Sequence, residues 1–157
     1  MKIAYYHGLE STLPSSKVDW LQSQGHQVMA QPMHYESPDL FSNIKAATIA
    51  FRPDAIIGSS MGGWFAWLIG SQLNIPRILL NPALHGRSFE PRVDLRLNHE
   101  PQTHVLLGRH DTLIDPQITV KILAQSKAVI TYGEHAHRTP LEVFQSYMRG
   151  LSDKITN

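Results

Sequence analysis

Cysteine is absent from the 157 residues. That excludes a disulfide framework, a thiolate nucleophile and any thiolate-held metal or iron–sulfur centre. A charge excess is missing too: 14 Lys and Arg stand against 13 Asp and Glu, a net charge of +1. A charge so close to zero gives no basis for a nucleic-acid partner. No window approaches the roughly 18 apolar residues of a membrane span. The opening MKIAYYHG has one Lys and too short an apolar run for a signal peptide. A cytoplasmic protein with no membrane partner is therefore expected. No G-x-G-x-x-G or P-loop occurs, so a nucleotide cofactor has no support. No HExxH occurs, and the pairs His99/His104 and His135/His137 lack a third ligand at a recognisable spacing. No metal and no cofactor are expected.

What is present is ordinary for a globular chain: 42% hydrophobic and 17% charged residues. A chain of this length buries roughly 68–70% of its unfolded surface, enough for a full core. One domain over residues 1–157 is expected. Nine histidines is the unusual count.

Short apolar runs alternate with helical patterns. Strands are expected at Lys2–Tyr6, Gln27–Gln31, Ala55–Ile57, Arg77–Leu80, Thr103–Leu107 and Ala128–Tyr132. Helices are expected at Pro14–Gln24, Pro38–Phe51, Trp64–Leu73, Asp115 to about Ala124, and Pro140–Leu151. Leu84–Gln102 has no period; it mixes Arg87, Arg92 and Arg96 with Glu90 and Asp94 and is the one stretch long enough for a small cap. Alternation of this kind implies an α/β fold, a six-stranded, mostly parallel sheet with helices on both faces. Ligands of such sheets sit beyond the carboxyl ends of the strands, so the loops after each strand carry the functional reading.

After the third strand comes Gly58-Ser59-Ser60-Met61-Gly62-Gly63. Only Ser60 fits the centre of G-x-S-x-G. That pattern puts a nucleophile on a sharp strand-to-helix turn, where small flanking residues let backbones approach. After the fifth strand, Asp111 lies where an acid that orients a histidine belongs, while Asp115 precedes Pro116 and reads as a helix N-cap. After the sixth strand, Gly133-Glu134-His135-Ala136-His137 offers two histidines. His135 follows the strand more closely and is taken as the base, with His137 the alternative. The order Ser60, Asp111, His135 is that of α/β-hydrolases. A serine hydroxyl becomes nucleophilic when an adjacent base takes its proton, and a carboxylate fixes that base's tautomer. His7 and Gly8 form a tight turn after the first strand. The backbone N–H groups of Leu9 and Met61 are candidate oxyanion donors. Trp64, Phe65 and Trp67 read mainly as core, with Trp64 a candidate pocket lining.

These residues resemble the α/β-hydrolase superfamily, and within it the small YqiA-like esterase family of bacteria. The matching pieces are His7-Gly8, Gly58 through Gly63, Asn81-Pro82-Ala83, Asp111 through Asp115, and Gly133-Glu134-His135-Ala136. The resemblance implies a compact, lidless minimal α/β-hydrolase fold with carboxylester or thioester activity. It also implies Ser60 as nucleophile, Asp111 as acid, His135 as base, and Leu9 and Met61 as oxyanion donors. The expected function is hydrolysis of small or short-chain esters or thioesters through an acyl-enzyme. The alternatives are a non-catalytic binding protein or an acyltransferase on the same fold.

Overall fold

The computed structural model describes residues 1–91, 93 and 95–155, the last four by backbone alone. Six strands form one sheet: β1 (Lys2–Tyr6), β2 (Gln27–Ala30), β3 (Ala55–Ser59), β4 (Arg77–Leu80), β5 (Thr103–Gly108) and β6 (Val129–Gly133). Their order is β2-β1-β3-β4-β5-β6. Every pairing is parallel, so the expectation of a mostly parallel sheet becomes a wholly parallel one. Parallel strands need crossovers, and the described residues form five helices: α1 (Ser16–Ser23), α2 (Leu40–Phe51), α3 (Met61–Leu73), α4 (Pro116–Leu123) and α5 (Leu141–Ile155).

Successive side chains of a strand point to opposite faces. Here both faces are apolar, which is why β3 and β4 read as continuous hydrophobic runs. Ile3, Tyr5, Ile57, Ile78 and Leu106 pack with Val18 and Leu21 of α1 and with Phe144 and Met148 of α5. Ala4, Tyr6, Ile56, Leu79 and Val105 pack with Ile44 of α2, Phe65 and Leu68 of α3, and Leu123 of α4. Arg77 is buried beside the second cluster, its guanidinium 3.9 Å from the Trp67 ring centroid. Desolvation lowers its pKa to about 10.

The expected elements are all present, with shifted ends. β3, β5 and β6 run on to Ser59, Gly108 and Gly133, because ladder hydrogen bonds continue where the apolar pattern stops. α3 begins at Met61, three residues before the apolar run at Trp64, because Ser60 turns the chain directly into it. Residues 84–102 contain no helix or strand among the described residues. Arg92 and Asp94 lie outside the described residues. Within that stretch Arg87 pairs with Glu90 and stacks 4.0 Å from the Trp64 ring centroid. The register puts Tyr6 beside Gly58, Ser59 beside Leu80 and Gly108 beside Gly133. The carboxyl ends of five strands therefore share one edge of the sheet, and the site stands on it.

Candidate active site

Ser60 joins β3 to α3 with φ 54 and ψ −117, a backbone conformation that side chains other than glycine rarely adopt. Neighbouring backbone fixes it there. The Ser60 N–H donates to the Leu80 carbonyl at 3.0 Å, and the Ser60 carbonyl accepts from the N–H groups of Gly63 and Ala83 at 2.9 Å each. The flanking glycines are required by space. A Cβ at Gly58 would stand 2.3 Å from the Gly62 carbonyl oxygen, and one at Gly62 would stand 2.1 Å from that of Tyr6. These approaches are the physical content of the G-x-S-x-G pattern.

Asp111 follows β5 and is buried. Its Oδ1 accepts from the N–H groups of Leu113 and Ile114, both at 2.9 Å. Its Oδ2 lies 2.8 Å from Nδ1 of His137. Asp115 caps α4, accepting from the Gln117 N–H at 2.8 Å, as Pro116 after it suggests.

The histidine is not the expected one. His137 Nε2 lies 2.8 Å from Ser60 Oγ, while its Nδ1 faces Asp111. A carboxylate only accepts, so Nδ1 carries the hydrogen and Nε2 is free to accept from the serine hydroxyl. His135 is turned under the sheet edge. Its Nδ1 donates to the Ala136 carbonyl at 2.7 Å, and its buried Nε2 has no partner. The cause is a pair of glycines. Gly108 and Gly133 sit side by side at the ends of β5 and β6 and leave a space without side chains. The His135 ring fills it: a Cβ at Gly133 would lie 2.7 Å from its Cδ2, and one at Gly108 would lie 2.7 Å from its Nδ1. With His135 consumed by packing, the next histidine emerges over Ser60.

The first loop carries Gly8 and Leu9 to the same place; a Cβ on Gly8 would lie 3.2 Å from that of Ser60. His7 anchors this loop. Its Nε2 accepts from the Met33 N–H at 3.0 Å, which leaves Nδ1 to donate to the Gly8 carbonyl at 2.8 Å. Tyr35 Oη donates to the His7 carbonyl. Met61 opens α3, so its N–H has no intrahelical partner.

A cavity of about 230 Å³ lies over Ser60, and Leu9, Met61, Leu113, Ile114 and Arg138 are among its lining residues. Trp64 is not among them; its ring is covered by Arg87 and packs against the core. Leu113, Ile114 and Arg138 have no pocket role in the sequence reading, although each lies on a loop after a strand. Asn81 is present in that reading only within the Asn-Pro-Ala that closes β4 and carries no role there. Among the described residues, no group of three His, Asp or Glu side chains could hold a metal ion, and no helix is long and apolar enough to cross a membrane.

Solved structures share this architecture. A monoacylglycerol lipase of Paleococcus ferrophilus superposes with a TM-score of 0.74 at 13% identity, covering 97% of this chain and 92% of its own. An alpha/beta-superfamily protein of Xanthomonas campestris gives 0.74 at 15% identity, covering 99% and 98%. The esterase domain of a Rhodothermus marinus protein gives 0.71 at 14% identity, covering 96% and 84%. The fold is that of the α/β-hydrolases. In sequence, a UPF0227 protein of Serratia proteamaculans is 24% identical over 161 aligned positions, 87% of this chain and 89% of that protein. Residues 2–106 match the model of a family described as an uncharacterised protein family, UPF0227.

Proposed function

The chain belongs to the UPF0227 family, and from that premise we propose that it is a serine hydrolase that cleaves small or short-chain carboxylic esters or thioesters. One observation carries the reading: His137 bridges Ser60 Oγ and the Asp111 carboxylate with two contacts of 2.8 Å. A solvated serine–histidine pair without the acid would leave the tautomer unfixed. Here Asp111 is itself held by two backbone N–H groups and aims its second oxygen at the ring.

In the proposed cycle Ser60 Oγ attacks the acyl carbonyl as His137 Nε2 takes the hydroxyl proton. The carbonyl oxygen becomes an oxyanion, stabilised by the N–H groups of Met61 and Leu9. Asp111 stabilises the imidazolium that forms. His137 then returns the proton to the leaving alkoxide or thiolate, and an acyl ester on Ser60 remains. A water molecule, deprotonated by the same nitrogen, attacks that ester; the acyl–Oγ bond breaks, the acid leaves, and His137 returns the proton to Ser60 Oγ. No cofactor enters the balance.

The volume supports the substrate class. About 230 Å³ lies below the ~300–1,000 Å³ typical of drug-sized ligands. The names of the structural neighbours, an esterase domain and a monoacylglycerol lipase, are compatible with an ester-cleaving reaction. The test is hydrolysis of p-nitrophenyl acetate and butyrate by wild type and Ser60→Ala, with fluorophosphonate labelling of the same samples. Turnover and labelling that both vanish in Ser60→Ala are expected. A wild type that neither turns over nor labels would favour a binding protein instead. Acyl transfer to an added alcohol in preference to water would make it an acyltransferase, and a preference for long-chain lipids would overturn the substrate class.

A further inference from the structure

The loop that carries His137 follows β6, and Asn81 reaches its backbone from the end of β4, with β5 between the two strands. Asn81 is the first residue past β4, buried, with φ 42. Its backbone N–H donates to the Leu106 carbonyl of β5 at 2.9 Å. Its side-chain Oδ1 accepts from the Gly108 N–H at 2.7 Å. Its Nδ2 donates to the His137 carbonyl at 2.7 Å and to that of Ala136 at 3.3 Å. One amide thus ties the end of β5, from which the Asp111 turn departs, to the backbone of His137 itself.

We propose that Asn81 is a positioning residue for the reaction, fixing His137 between Ser60 and Asp111 from the main-chain side. This rests on the triad reading above and adds a residue to it. The His137 ring has two partners, both at the site, and so cannot set its own distance from them. The backbone must set it, and Asn81 is the side chain bonded to that backbone. The residue type follows from the two demands. Asparagine tolerates the left-handed backbone, and it offers an acceptor and a donor on one planar group. Aspartate meets the first demand but turns an oxygen toward two carbonyls. A misplacement of about 1 Å in a reacting group costs on the order of 10²-fold in rate.

The experiment compares wild type, Asn81→Asp, Asn81→Gly and Ser60→Ala. Aspartate keeps the acceptor for Gly108, and glycine keeps the backbone conformation without a side chain. Two readouts are taken: kcat and KM for p-nitrophenyl butyrate, and the downfield NMR resonance of the His137 Nδ1 proton bonded to Asp111. Both Asn81 variants are expected to keep their amide spectra and KM, to lose the downfield resonance, and to lose kcat by about 10²-fold. Persistence of the resonance, or wild-type kcat, in either folded variant overturns the role. So does global unfolding of both, which would make Asn81 a residue of the fold. The resonance is read whether or not the wild type turns over. If the wild type is inactive, or Ser60→Ala keeps activity, the hydrolase reading fails and the resonance alone decides this role: its loss in both folded variants supports it, and its persistence overturns it.

Discussion

His135 and His137 are two residues apart on one loop, yet the fold uses them in opposite ways. The first is buried, lies under the end of the sheet against Gly108 and Gly133, and leaves Nε2 without a partner. The second keeps part of its ring open to the cavity and commits both nitrogens, one to Ser60 and one to Asp111. Proximity to the strand did not select the one over Ser60. What selected it was the space left by two glycines in register, which the first ring fills.

The contrast can be broken by exchanging the consequences of losing each ring. The largest effect is expected from His137→Ala: kcat for p-nitrophenyl butyrate falls on the order of 10⁴-fold or more, with the thermal transition unmoved. Next comes Asp111→Asn, which keeps an acceptor for the Leu113 and Ile114 N–H groups but no longer fixes the His137 tautomer. Steady-state kinetics should show a loss of about 10³–10⁴-fold in kcat. His135→Ala should do the reverse, leaving kcat and KM in place and costing about 2 kcal/mol through the cavity it opens. Calorimetry should read that as a fall of about 4–8 °C in Tm. The smallest effect is expected from Leu113→Ala at the rim of the cavity. Leu113 is 70% exposed, so it contributes little burial to a bound acyl group. KM for butyrate should rise by less than about tenfold, while acetate is untouched.

The same pair marks where the sequence stops being readable. The central strands were legible because two covered faces demand continuous apolar runs, and Ala55–Ile57 and Ile78–Leu80 are such runs. Ser60 was legible because its pattern is contiguous in sequence, with Gly58 and Gly62 on either side, even though the contact that requires Gly62 comes from the Tyr6 carbonyl of β1. Asp111 and Asp115 could be told apart by Pro116, a neighbour in sequence. The histidine could not be resolved this way. Its choice depends on Gly108 meeting Gly133 across two strands, and that is a matter of register. Asn81 was hidden for the same reason, since its partners lie 27 and 56 residues further along the chain. Trp64 packs against the core, as its apolar helix suggests, and only its candidate place in the pocket lining fails, because Arg87 from the aperiodic stretch after β4 covers its ring. Local geometry was readable, and what long-range register decides was not.

The most direct test of the central claim is the rate of fluorophosphonate labelling at Ser60, followed by intact-protein mass, for wild type, His137→Ala and His135→Ala side by side. The account predicts that His135→Ala labels at the wild-type rate and that His137→Ala does not label on the same timescale. Rapid labelling of His137→Ala, or its loss in a folded His135→Ala, would contradict it.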